Sequence, residues 1–217
     1  MPRSVERTIH LAIAIGLLNG AAAVAQARPP VAIYLHGRII EEQGPRAISP
    51  VFGPYAFHAI VDSLRAGGVS VIADLRPSGA DPTQWAGRVV AQVDSLTKAG
   101  VDPANVTVVG FSKGGGIAIL AAARLARPEV GFVFLGSCGD SSGEFPAVSG
   151  RMLSIFEQSD SLGQSCRGLL RRAGAGSITE ERSLATGLGH GAFYQPRSDW
   201  LSLVRAWIRQ RRLPPAG

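Results

Sequence analysis

Beyond residue 30 the chain alternates between short, continuously apolar runs and longer stretches with helical periodicity. The runs 31–35, 69–73, 106–109, 132–135 and 152–156, with a shorter one near 182–184, predict strands. Between and after them, 54–66 (closed by Gly67-Gly68), 82–99 (closed by Gly100), 113–126, a stretch around 162–172 and 197–211 predict helices. In 82–99 the residues Trp85, Val89, Val93 and Leu96 recur on one face, and in 197–211 Trp200, Leu203, Val204, Trp207 and Ile208 do the same. Strands that are apolar without alternation are buried on both faces, so the pattern predicts an α/β protein with a mostly parallel sheet between helical layers. Right-handed crossovers then bring all strand C-termini to one rim, where such sheets bind ligands. There is no internal repeat, and the Gly/Ser-rich segment 139–150 is too short to hold a large cap.

The first 27 residues break this pattern. Arg3 and Arg7 precede an apolar run at 11–18, and small residues follow at 21–27 with Ala23-Val24-Ala25 and Ala25-Gln26-Ala27. This predicts a secretory signal peptide cleaved after Ala25 or Ala27, since the apolar run is far shorter than the roughly 20 residues of a membrane span. Residues 28–217 are then read as a single domain, and export places the mature protein in a periplasm or outside the cell. In that compartment Cys138 and Cys166, the only two cysteines, are expected to form one disulfide.

A net charge of +6 and a sequence pI near 10.1 raise the question of nucleic acid. Export argues against it, and Arg167, Arg171, Arg172, Arg205, Arg209, Arg211 and Arg212 lie on polar helix sides without interleaved aromatic residues. A solvated basic face, at most weakly attracted to anionic surfaces, is the expectation, with no nucleic-acid partner and no stable membrane insertion.

The most informative segment is 106–116, where an apolar run passes abruptly through Gly110-Phe111-Ser112-Lys113-Gly114 into an alanine-rich helix. A serine at the apex of a strand–turn–helix, flanked by glycines two residues away on each side, has the spacing of a nucleophile elbow. His190 follows in Gly187-Leu188-Gly189-His190-Gly191, a loop that can present an imidazole with little bulk around it. Asp160, in the loop after the run 152–156, is the candidate that orients this imidazole, with Asp140 as its rival and Glu157 read as a solvated neighbour. Backbone N–H groups of Lys113 and of Gly37 and Arg38, in the loop after the first strand, are candidate donors to an oxyanion. His36 is expected to pack and brace that loop. His36, Phe111, Glu41 and Glu42 are placed around the substrate, with Lys113 expected to pair with Glu41 or Glu42.

With Leu35-His36-Gly37 as oxyanion loop, Gly110 to Gly114 as elbow, and Ser112, Asp160 and His190 in that order, nearly the whole chain after residue 27 resembles an α/β-hydrolase. The resemblance implies a three-layer sandwich of about six strands, lacking the first antiparallel hairpin of fuller members and any large cap. It also implies a serine hydrolase working through an acyl-enzyme, with a small-molecule or polymer ester as substrate and neither metal nor other cofactor. A peptidase or acyltransferase would use the same residues, and a non-catalytic binding protein on this fold is the alternative of a different class.

Overall fold

The computed structural model describes residues 28–139 and 146–213. The expected signal peptide and Asp140 lie outside the described residues. In chain order the elements are β1 (Val31–Leu35), α1 (Arg38–Gln43), β2 (Ile48–Ser49), β3 (Gly53–Pro54), α2 (Phe57–Ala66), β4 (Ser70–Ile72), α3 (Pro82–Lys98) and β5 (Val106–Phe111). They continue with α4 (Lys113–Leu125), β6 (Gly131–Leu135), β7 (Arg151–Glu157), α5 (Arg167–Leu170), β8 (Ile178–Leu184) and α6 (Ser198–Gln210).

Six strands form one sheet in the order β4-β1-β5-β6-β7-β8, and every pairing is parallel. The apolar runs explain the layers. Alternate residues of each strand point to opposite faces. Val31, Ile33, Val106, Val108, Phe132, Phe134 and Met152 meet α3, α4 and α5 in one core cluster. Ala32, Tyr34, Val109, Phe111, Val133, Leu135, Leu153 and Ile155 meet α2 and α6 in the other. Trp85, Val89 and Val93 are the buried stripe of α3, and Trp200, Val204, Trp207 and Ile208 that of α6, joined there by Leu201. Asp81 caps α3 by accepting the Gln84 N–H at 2.7 Å, with Pro82 at the first helical position.

Four departures from the sequence reading have local causes. Helix α1 and the β2–β3 hairpin lack a periodic signal and fill the connection from β1 to α2. Helix α2 begins at Phe57 because Pro54 is taken into the hairpin and Ala47 accepts the Tyr55 N–H at 2.9 Å. The helix expected over 162–172 shrinks to α5, because Gly163 packs directly on the backbone of Gly136 and Cys166 is joined to Cys138. Strand β8 is longer than its apolar end suggests: as an edge strand it carries Glu180, Glu181 and Arg182, which hide it from a hydrophobicity pattern.

Candidate active site

Ser112 joins β5 to α4 with φ 54° and ψ −121°, a left-handed backbone that a serine adopts only under constraint. The constraint is visible on both sides. Its N–H donates to the Leu135 carbonyl at 3.0 Å, and its carbonyl accepts from Gly115 at 2.8 Å and Gly116 at 3.1 Å. The flanking glycines are obligatory: a Cβ on Gly110 would lie 2.4 Å from the Gly114 oxygen, and one on Gly114 only 2.1 Å from the Leu35 oxygen. The elbow therefore packs backbone to backbone against the end of β1. Gly37, next in the chain after His36, faces the serine so closely that a Cβ there would stand 3.6 Å from Ser112 Cβ and 3.1 Å from the Phe111 ring.

Two loops on the same rim bring the acid and the imidazole together. Asp160, after β7, and His190, after β8, are both buried, and Asp160 Oδ2 accepts from His190 Nδ1 at 2.7 Å. Asp160 Oδ1 accepts the Leu162 N–H at 2.8 Å, which fixes the carboxylate plane. With Nδ1 engaged, Nε2 is the free ring nitrogen. Phe111 packs against the imidazole with ring centroids 4.7 Å apart, and Phe52 with centroids 6.1 Å apart.

Glu157 is the largest correction to the sequence reading. Far from solvated, it is 1% exposed. Its Oε1 accepts the N–H groups of Thr186 at 2.9 Å and Gly187 at 3.0 Å, and its Oε2 accepts the N–H of Ser159 at 2.7 Å and the Ser159 hydroxyl. Ser159 Oγ in turn accepts the Gly189 N–H at 3.2 Å. Burial pushes the Glu157 carboxyl upward, but the bonds from Ser159, Gly187 and Thr186 outweigh it and hold the carboxyl below its usual range.

A second buried polar cluster underlies the loop after β1. Arg76, from the loop after β4, donates its backbone N–H to His36 Nε2 at 3.0 Å, its guanidinium to the His36 carbonyl, and Nε to Glu41 Oε1 at 2.7 Å. Glu41 Oε2 accepts from Lys113 Nζ at 2.5 Å. Because His36 Nε2 is an acceptor, its proton sits on Nδ1, which donates to the Gly37 carbonyl at 2.9 Å. The same carbonyl accepts the Ile40 N–H at 3.3 Å. In a planar trans peptide the next N–H, that of Arg38, points the opposite way. Burial, reinforced by the Arg76 charge, lowers the His36 pKa from 6.5 to about 4, so the ring is neutral at physiological pH. Arg38 and Lys113 open helices α1 and α4, so neither backbone N–H has an intrahelical acceptor.

Ser112 and His190 share a cavity of about 860 Å³ with Gly37, Arg38, Glu42, Phe111 and Lys113 on its wall. That volume is in the range of small-molecule sites. His36 and Glu41, expected around the substrate, instead lie behind this wall, fully engaged with Arg76 and Lys113. Arg76 had no place in the sequence reading, and its only signal was its position just after a strand on the site rim. Cys138 and Cys166 form the disulfide, which closes a 28-residue separation containing Asp160. Among the described residues no group of three or more His, Cys, Asp or Glu side chains is placed to hold a metal ion.

The parallel six-stranded sheet, the elbow after β5 and the rim loops define an α/β-hydrolase fold. SOBER1 from Arabidopsis thaliana has a similar structure, with a TM-score of 0.57 and 18% identity over 84% of this chain and 98% of that one. Two single-substitution variants of SOBER1 align equally, each with a TM-score of 0.57, at 18% identity over 83% of this chain and 99% of the variant, and at 19% over 84% and 98%. No family model matches the sequence, and no curated protein is significantly similar to it.

Proposed function

We propose that this protein is an exported serine hydrolase that cleaves carboxylic esters through an acyl-enzyme on Ser112. The observation that carries the reading is the 2.7 Å bond from His190 to Asp160, with the imidazole on the wall of the cavity that also holds the constrained Ser112. A serine used only for packing or capping would not need φ 54°, and Ser112 makes no side-chain capping bond. In this mechanism Ser112 Oγ attacks the ester carbonyl carbon while His190 Nε2 takes the hydroxyl proton, and Asp160 stabilises the imidazolium so formed. The negative oxygen of the tetrahedral intermediate is met by the N–H of Lys113 and by that of Gly37 or Arg38. The carbon–oxygen bond to the leaving alcohol breaks as His190 returns the proton to it. Water, deprotonated by the same nitrogen, then releases the acid and restores the serine.

Esters rank above amides because an ester carbonyl is the more electrophilic and its alcohol needs less activation to leave than an amine does. The Cys138–Cys166 disulfide supports export, as does the residue pattern of 1–27. Incubating folded protein with a fluorophosphonate probe tests the assignment: labelling mapped to Ser112, absent in Ser112→Ala, together with turnover of a simple p-nitrophenyl ester, is expected. An unlabelled folded protein would leave a binding function on the same fold. Sequencing the N-terminus of secreted material, expected to begin at Gln26 or Arg28, tests the export step.

A further inference from the structure

The large hydrophobic side chains that stand exposed among the described residues are Val51 (78%), Leu162 (64%), Ile48 (63%), Leu75 (48%) and Leu188 (43%). All five belong to segments leaving the C-terminal ends of parallel strands: Ile48 and Val51 after β1, Leu75 after β4, Leu162 after β7 and Leu188 after β8. Solvent faces of the helices and the opposite rim contribute none of them. Single exposed hydrophobics scattered over a surface need no explanation, but their confinement to the rim that carries Ser112 does.

Val51, Leu162 and Leu188 are continuous with the cavity. Val51 and Leu188 share a recess with Phe52, whose ring also lines the main cavity beside His190. Leu162 is on the cavity wall itself, with Ile39, Pro50, Leu120 and Tyr194. Among the described residues charge offers little to recognise a charged substrate: Arg38 and Glu42 are of opposite sign, and the Lys113 ammonium is engaged by Glu41. Burial of apolar surface is the remaining source of affinity of any size.

We infer that the ester cleaved at Ser112 carries a long apolar chain, which leaves the cavity past Phe52 and Leu162 and lies on this rim. The inference rests on the serine hydrolase reading and specifies its substrate class. The chain can belong to the acyl or to the alcohol part, and the two are separated by experiment.

Two series of soluble esters below their aggregation concentrations decide it: p-nitrophenyl esters from acetate to decanoate, and acetates of alcohols from methanol to octanol. In the series that presents the chain to the rim, kcat/KM is expected to rise about threefold per added methylene until the apolar surface is covered. Val51→Ser combined with Leu162→Ser should lower the ratio of longest-chain to shortest-chain kcat/KM about tenfold. Both side chains are largely exposed, so folding is not at stake. If both series are flat or fall with length, or if the double variant keeps the wild-type ratio, the inference is overturned while the hydrolase reading stands. Absence of turnover on every ester, together with no fluorophosphonate labelling, would remove both.

Discussion

Glu157 accepts the N–H of Gly187 at 3.0 Å, and this bond ties the loop that carries Asp160 to the loop that carries His190. Four donors converge on the one buried carboxylate, so its contribution exceeds that of an ordinary neutral bond. Glu157→Gln would turn an amide N–H toward backbone donors and leave at least one unpaired. The expected loss is about 2–4 kcal/mol of unfolding free energy, measured by urea titration. A fall in kcat should accompany it, since the Asp160–His190 alignment depends on both loops.

Asp160→Asn should leave the fold intact and lower kcat about 10³- to 10⁴-fold, because a neutral amide neither stabilises the imidazolium nor enforces the tautomer with its proton on Nδ1. Ser112→Ala and His190→Ala should each cost at least about 10³-fold, with the Ser112→Ala–His190→Ala double variant no worse than either alone. Steady-state kinetics on one ester decides all four; turnover near wild type in any single variant would contradict the triad roles.

The pairs made by Glu41 differ in burial, and their coupling should differ too. Its bond to Arg76 is between side chains 1% and 0% exposed, whereas the Lys113 side chain is 16% exposed. Glu41→Gln leaves the Arg76 guanidinium buried without its carboxylate and should cost about 3–5 kcal/mol. Lys113→Met should cost about 1 kcal/mol or less. A double-mutant cycle measured by chemical denaturation is expected to give a clearly larger coupling for Glu41–Arg76 than for Glu41–Lys113.

His36 makes stability depend on pH. Unfolded, it titrates near 6.5; folded, near 4. Between these values the unfolded chain binds the extra proton, so this contribution is complete above about pH 6.5 and falls as the pH drops toward 4. The loss amounts to about 3 kcal/mol for this group alone. His36→Gln should be less stable at pH 7 but show a shallower decline from pH 6.5 to 4, as read from denaturant titrations at each pH.

Removing the disulfide with Cys138→Ser and Cys166→Ser should cost about 3–4 kcal/mol in the chain-entropy account for this loop length. Differential scanning calorimetry of the double variant against the oxidised protein measures the loss. Alkylation of unreduced wild type should find no free thiol.

The layers were legible because burial on both faces leaves uninterrupted apolar strands, and the elbow because Gly110, Ser112 and Gly114 answer to close backbone approach. Asp160 and His190 were legible from their places after strands. What escaped was set by tertiary contact. Glu157 looks like any carboxylate at a strand end until Thr186 and Gly187, about thirty residues later, supply its donors. Arg76 sits in a polar loop, and only the fold brings it under His36. Leu162 and its neighbours read as helix because nothing local announces that Gly163 must lie flat on Gly136.

Since no side chain fits between Gly114 and the Leu35 carbonyl, the elbow, its helix and the loop at Gly37 are packed as one body. Asp160 and His190, locked to each other through Glu157, form a second body. The seam between them runs where Phe111 meets the imidazole and where Gly136 approaches Asp160. Across that seam the Ser112 N–H is bonded to the Leu135 carbonyl and the Gly136 N–H to that of Ile155, so the spacing of the serine from the Asp160–His190 pair is set by the register of β5, β6 and β7.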